Sequence, residues 1–436
     1  MVSKRTRMGP VNPPGRIPNP RVTVFTPSHD PRFLDDCLAT LQAQSCPEWE
    51  WIVMLNQGAR WEPAAPDPRV RVVSEPQVAG VGMAKRVACA DARGEFLVEL
   101  DHDDELRSDA LELIVGAFDE HRDAGFVYSQ CAQIDEEGKR DDSRFDEANG
   151  WVYQETEVDG RSVLQVDSLA AYPHNVSYIW FAPNHVRAFR RSVYELAGGY
   201  DASRDVLDDQ DLMCRIYQLA EFHLIPECLY LQRVHHNNTQ RVSEINAKIQ
   251  QETVALYDRY VEHCALAWAE RRGLKALDLG AAHNSPPAYL GVDQFPGPNV
   301  DIVGDVSHGI DLPDSSCGVI RAVDFLEHVQ DKVALFNELY RLLTHGGMLL
   351  SLTPSTDGRG AFQDPTHVAY YNENSFWYFT DADYARFVPS IRCRFQVSRL
   401  VTYFPSPWHE EHDVPYVCAN LIAIKDGPRQ GGYLRI

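Results

Sequence analysis

Four consecutive polar residues, Asp101, His102, Asp103 and Asp104, follow an apolar run of Phe96, Leu97, Val98 and Leu100. The run reads as a buried strand, so the carboxylates arrive at its carboxyl end. In an open α/β sheet, ligands bind in the crevice beyond those ends. Hard divalent cations there take carboxylate oxygens and keep positions open for phosphate. Asp-x-Asp at such a place reads as a clamp for a metal and a diphosphate. It also reads as a set of acids capping the helical pattern of Leu106, Leu111 and Leu113. Two further polar groups are spaced for chemistry. Asp208, Asp209 and Asp211 crowd the start of an amphipathic pattern with Leu207, Leu212 and Ile216 inward, where the helix dipole alone favours acids. Arg233, His235 and His236 follow an apolar strand over Cys228 to Leu231, either as ligands or as a solvated loop.

Strands and helices must alternate to present these groups together. Arg21 opens a β-branched strand, Arg32 to Gln44 reads as a helix, and Trp49 to Leu55 and Val70 to Ser74 read as strands. Gly80 to Ala92 reads as a helix entered through glycines, ahead of the strand that ends at Asp101. This alternation predicts a mostly parallel sheet. Ile134 to Val166 is polar and acidic and reads as a hairpin or a mobile flap. Glu244 to Glu270 is a long helical stretch, and from Lys275 the strand–helix alternation starts again. The expected division is a flexible Pro-rich tail (1–20), a first α/β domain (21–243), a helical connector (244–272) and a second α/β domain (273–436).

Composition narrows the class. The 436 residues are 44% apolar, enough for two cores, and no run reaches the roughly 18 apolar residues of a membrane span. A net charge of −22 repels polyphosphate, so broad nucleic-acid binding is disfavoured. The ten cysteines form no C-x-x-C pair and no zinc-spaced cluster, as expected of reduced thiols in a cytoplasmic protein. The basic N-terminus has no apolar segment of a secretory signal.

The order of motifs in the first domain resembles the family-two glycosyltransferases of the GT-A fold. An opening strand runs into Thr26-Pro27, and Gly80, Gly82, Ala84, Ala92, Gly94 and Glu95 precede the Asp101 to Asp104 series. The resemblance implies a nucleotide-sugar domain with a donor site at Pro27, Asn56, Asp101 and Arg233. Asp101 would face the ribose, Asp103 and His235 would hold a divalent metal (Mn²⁺ or Mg²⁺), and Arg233 would hold diphosphate charge. Asp209, in the segment Gly198-Gly199-Tyr200-Asp201 to Leu212, matches the general base of an inverting transfer. Asn184 and His185 resemble an acceptor-side loop. Where the family carries paired aspartates that read the nucleobase, this sequence has Asn56 and Gln57.

The second domain resembles the class I methyltransferases that use S-adenosylmethionine, through Leu277-Asp278-Leu279-Gly280, Leu326-Glu327-His328-Val329 and Gly346-Gly347. By that resemblance Gly280 would let backbone approach the cofactor, Asp293 would bind its ribose and Asp305 would read its adenine. Ala281 and Ala282 depart from a fuller glycine turn, and the stretch from Gly280 to Gly291 is too short for a normal crossover helix. The aromatic run Phe362 to Phe379 carries His367, the candidate base over a methyl acceptor, with His328 as the other candidate. The joint expectation is two Rossmann-like α/β domains in one bifunctional enzyme. One transfers a sugar from a nucleoside-diphosphate donor to an acceptor, which is a glycan, small molecule, protein or modified base, and the other methylates the product. The alternative is a glycosyltransferase with an inert methyltransferase-like docking domain.

Overall fold

The computed structural model describes residues 19–144, 147, 150–236, 238, 243–282 and 285–427; most of the expected N-terminal tail lies outside them. The chain forms two compact units. The first takes in Met1–Ser143, Tyr153–Ser168 and Pro183–Glu252, and the second Arg144–Val152, Leu169–Ala182 and Thr253–Ile436.

The first unit is built on β1 (Val22–Ser28), β2 (Trp49–Leu55), β3 (Val70–Ser74), β4 (Phe96–Glu99) and β5 (Glu105–Leu106). It continues with β6 (Ala124–Ile134), β7 (Tyr153–Val158), β8 (Arg161–Val166), β9 (Arg187–Arg190) and β10 (Glu221–Arg233). The sheet runs β3-β2-β1-β4-β9-β6-β10-β5. β1 is parallel to both β2 and β4, while β9 runs antiparallel between β4 and β6. The chain moves outward from β1 to β3 and then returns to the other side of β1. The carboxyl ends of β1 and β4 therefore flank a topological switch point, where an open sheet leaves a crevice.

Local chemistry explains the elements. All of β2 and all but Pro27 of β1 are buried, as expected for parallel strands covered on both faces. The one carboxylate among them, Glu50, accepts from Thr23 Oγ1 and Arg93 Nε, each at 2.8 Å. In the helix Leu34–Gln42, Leu34, Cys37, Leu38 and Leu41 form the buried stripe. The helical pattern expected from Leu106 begins later, at Ala110. Glu105 and Leu106 instead pair antiparallel with Leu231 and Tyr230 of β10, because a free sheet edge takes up their backbone groups. The acidic stretch after Ile134 contains a hairpin, β7 with β8, turning at Asp159 and Gly160 with φ of +48° and +77°.

The second unit contains β11 (Lys275–Leu279), β12 (Leu290–Asp293), β13 (Ile302–Val303), β14 (Cys317–Val323), β15 (Leu343–Pro354), β16 (Phe395–Tyr403) and β17 (Tyr416–Ala423). Its order is β13-β12-β11-β14-β15-β17-β16, again reversing beside the first strand. Alternate residues face opposite cores. Leu277, Ile320, Leu349 and Leu421 pack with Leu335, Phe336 and Leu339 of the helix Lys332–Leu342. Val319, Met348 and Ile422 pack with Tyr257, Val261 and Ala265 from the helix Ser243–Arg271. No helix connects β11 to β12 among the described residues, so the long helix covers that face. Residues 169–182 join this unit from earlier in the chain, Tyr172 lying near Trp268 and His345. No helix among the described residues is long and apolar enough to cross a membrane.

Two glycines make opposite predictions. A Cβ at Gly82 would lie 2.2 Å from the Asp201 carbonyl oxygen and 3.0 Å from that of Arg204. Gly82→Ala should lower stability in urea unfolding by about 1–3 kcal/mol. Gly116, inside the helix Ala110–Glu120, has nothing within 4 Å of the added carbon. Gly116→Ala should raise stability by up to about 1 kcal/mol.

Candidate active site

The crevice beyond β1 and β4 is walled by charge. Glu99, the last residue of β4, is fully buried and accepts from Tyr200 Oη at 2.6 Å. Lys85 Nζ, on the helix Val81–Ala90, lies 2.8 Å from both Glu99 Oε1 and Asp208 Oδ2. Arg187 Nη1 on β9 bridges Glu99 Oε1 at 3.3 Å and Asp209 Oδ2 at 2.9 Å. Burial alone would raise the Glu99 carboxyl, but Lys85 and Arg187 outweigh it and hold it down at about 2. Asp209 feels the same opposition of burial against Arg187 and Lys85, and its carboxyl lies below the ordinary range. Its Oδ1 also accepts from the Gln210 N–H at 2.8 Å. Each oxygen thus keeps a second lone pair, on a side chain still 18% exposed.

One step along the chain the balance reverses. Burial, followed by the charge of Glu99, pushes the Asp101 carboxyl up to about 7. Burial, with Asp103 and Asp101 beside it, pushes Asp104 well up. His185 Nε2 stands 3.7 Å from Asp101 Oδ2, and burial with Arg187 nearby keeps the imidazole neutral. Its Nδ1 is buried with no hydrogen-bond partner among the described residues. Asp103 Oδ2 and His235 Nε2 are 2.8 Å apart. Ligands about 2.1 Å from a divalent cation sit roughly 3 Å from one another. This donor pair fits a metal, beside acids short of positive charge.

The structure brings most of the expected first-unit residues to this crevice. Pro27 is the penultimate residue of β1 and Asn56 follows β2. Asn56 is buried, and its Oδ1 has no partner among the described residues, as a group awaiting a ligand would. Arg233 is placed differently from the expectation. It is 2% exposed, and its Nε donates to the Asp103 carbonyl at 2.7 Å and its Nη1 to those of Asp135 and Glu136 at 3.2 and 2.9 Å. Its Nη2 meets Glu105 at 2.7 Å and Asp36 at 3.5 Å. All five N–H groups are committed behind the acidic loop, so none is turned to a diphosphate. Glu99, Lys85 and Arg187 lie outside every motif named above. A charged residue amid an apolar run, as at Glu99, and a lysine on an apolar helix face were the available signals.

In the second unit Gly280 follows β11 with φ +78°, and a Cβ there would meet the Phe325 ring at 3.1 Å. Only glycine suits this turn. Asp293 ends β12, and its oxygens accept from the Ala282 and Phe295 N–H groups at 3.3 and 3.0 Å, bracing the turn. Asp305 is drawn into its own local cap, accepting from the Ser307 N–H at 2.9 Å and lying 2.9 Å from His308 Nδ1. His367 lies beside His328, their ring centroids 5.0 Å apart. The turn fits a close-approaching cofactor, whereas Asp305 is engaged away from it.

Residues 23–195 match the family model described as Glycosyl transferase family 2, and residues 281–351 match one described as Methyltransferase domain. An uncharacterized protein, y4gI, of Sinorhizobium fredii is 28% identical over 225 residues, 48% of this chain and 22% of that protein. Chondroitin synthase of Pasteurella multocida is 22% identical over 228 residues, 50% of this chain and 21% of that protein. The chain thus covers about a fifth of the length of these relatives. The S. aureus TarS 1–349 crystal structure aligns at TM-score 0.39 and 14% identity, over 58% of this chain and 71% of that one, too distant to carry a conclusion.

The Lys85 network sets a stability prediction. Lys85→Met leaves Glu99 and Asp208 buried without their shared ammonium and should cost about 3–5 kcal/mol in urea unfolding. The pH dependence has a definite sign. Because the folded Glu99 carboxyl is held at about 2 against an ordinary 4.5, its contribution is complete above pH 4.5 and lost as pH falls toward 2. Glu99→Gln should flatten the acid limb of the unfolding profile across that window.

Proposed function

Taking the chain as a family 2 glycosyl transferase domain fused to a methyltransferase-like domain, we propose that it is a bifunctional transferase. The first unit moves a sugar from a nucleoside-diphosphate donor to an acceptor oxygen with inversion. The observation that carries this reading is one crevice holding two kinds of carboxylate: Asp209 kept ionised by Arg187, and Asp103 paired with His235. Asp209 accepts the acceptor's proton as the oxygen attacks the anomeric carbon. Asp103 and His235 would hold the divalent cation, which when bound supplies positive charge for the departing diphosphate. Asp101 faces the donor ribose. The buried Asn56 amide, in place of a carboxylate, offers both donor and acceptor to the base.

The second unit binds S-adenosylmethionine at the Gly280 turn and methylates the glycosylated product. Fusion raises the effective concentration of that product at the second site. Local engagement of Asp305 supports the competing reading, an inert docking domain, and a direct test separates the two.

In a thermal-shift panel of UDP-, GDP- and dTDP-sugars, one donor should stabilise the protein, with Mn²⁺ required for most of the shift. Asp103→Ala should abolish the metal-dependent part. Asp209→Asn should retain the donor shift while turnover falls by about 10²-fold or more. S-adenosylmethionine should add a further shift, removed by Gly280→Val. Failure of every nucleotide sugar to bind would overturn the transferase reading, and silence toward S-adenosylmethionine alone would leave the docking domain.

A further inference from the structure

A second group of ligating side chains lies in the methyltransferase-like unit. Glu327 and His328 belong to the 3₁₀ turn Leu326–His328 after β14, and His367 follows the short helix Gly360–Gln363. One ligand atom from each of the three lies within 4.8 Å of both others. The Val368 and Ala369 N–H groups both donate to the Glu327 carbonyl at 2.9 Å, tying the His367 loop to the turn.

The three side chains are arranged as a first shell with its supports. Glu327 is 2% exposed, and its Oε2 accepts from Thr353 Oγ1 at 2.6 Å. Its Oε1 is buried with no hydrogen-bond partner among the described residues, the costly condition that a bound cation would relieve. His367 Nδ1 is 3.0 Å from the Ala361 carbonyl oxygen, and His328 Nδ1 is 3.2 Å from that of Thr366. A carbonyl can only accept, so in the neutral rings a proton on Nδ1 serves these contacts and leaves Nε2 a lone pair; Thr366 Oγ1 also meets His328 Nδ1 at 3.2 Å, its own proton directed to Asp364 Oδ1 at 2.6 Å. Metal-bound histidines are oriented by the same kind of partner.

The geometry points to Glu327, His328 and His367 as a two-histidine, one-carboxylate site for a divalent transition metal of the zinc class. Mixed imidazole and carboxylate ligands suit Zn²⁺, Co²⁺ or Fe²⁺, whereas all-oxygen shells suit Mg²⁺ and Ca²⁺. Three protein ligands leave a coordination position for an outside oxygen. Bound ligands would stand roughly 3.3 Å apart, a closure that the exposed His328 ring allows. All three ligands belong to the second unit, and the assignment holds whether or not this unit transfers a methyl group.

The test is a Co²⁺ titration of the metal-free full chain followed by visible absorption. About one equivalent should give intense d–d bands, displaced by Zn²⁺ and unchanged in Asp103→Ala. His328→Ala removes an exposed ring and should keep the unfolding temperature while weakening Co²⁺ binding at least tenfold; His367→Ala should do the same. Absence of an intense band in the unaltered chain overturns the assignment. So does undiminished binding in the His328→Ala/His367→Ala double variant, or loss of the band in Asp103→Ala.

Discussion

The buried ammonium of Lys85, held between Glu99 and Asp208, is the constraint on which the first unit's crevice depends. Removing a carboxylate from water costs several kcal/mol unless a counter-charge meets it at close range. Glu99 can be fully buried at the end of β4 because Lys85, Arg187 and Tyr200 all reach it. Those contacts fix the helix Val81–Ala90, β9 and the helix Asp208–Tyr217 against one strand end. Asp209 inherits its position from that fixing, since the guanidinium that neutralises Glu99 also holds Asp209 at the rim.

The same strand end divides into a neutralised rear and an under-neutralised front. Behind lie Glu99 and Asp208 with their cations. In front lie Asp101 and Asp104, whose raised carboxyls record burial among like charges. A divalent cation beside Asp103 and His235 would complete the balance that fixed side chains leave open. Arg233 contributes from behind. By donating to the carbonyls of Asp103, Asp135 and Glu136 it sets the path of the acidic loop, so its charge serves shape more than ligand contact.

The second unit solves a different problem. With no helix described between β11 and β12, one sheet face would lie bare, and Tyr257, Val261 and Ala265 of the long helix cover it. The short connection remains a tight turn in which Gly280 takes a left-handed conformation and Asp293 ties back the Ala282 N–H. The turn beyond β11 is thus braced with no crossover helix among the described residues.

By itself the sequence determined the two α/β alternations, the β2 and β3 boundaries, the restart of the alternation at Lys275, and the presence of Asp101, Asp103 and Asp209 at element ends. Those features are local: apolar runs, turn residues and acids adjacent in sequence follow from backbone period and solvation. Tertiary structure decided which charges meet. Lys85 pairs with Asp208 and Arg187 with Glu99 across long stretches of chain, and no local pattern encodes such pairings. It also turned Arg233 inward, closed Asp305 on its own cap, drew Leu106 into a strand and gathered His328 and His367 beside Glu327. A side chain's type fixes which interactions it can make; its partners depend on which distant elements fold against it and on how much water they leave.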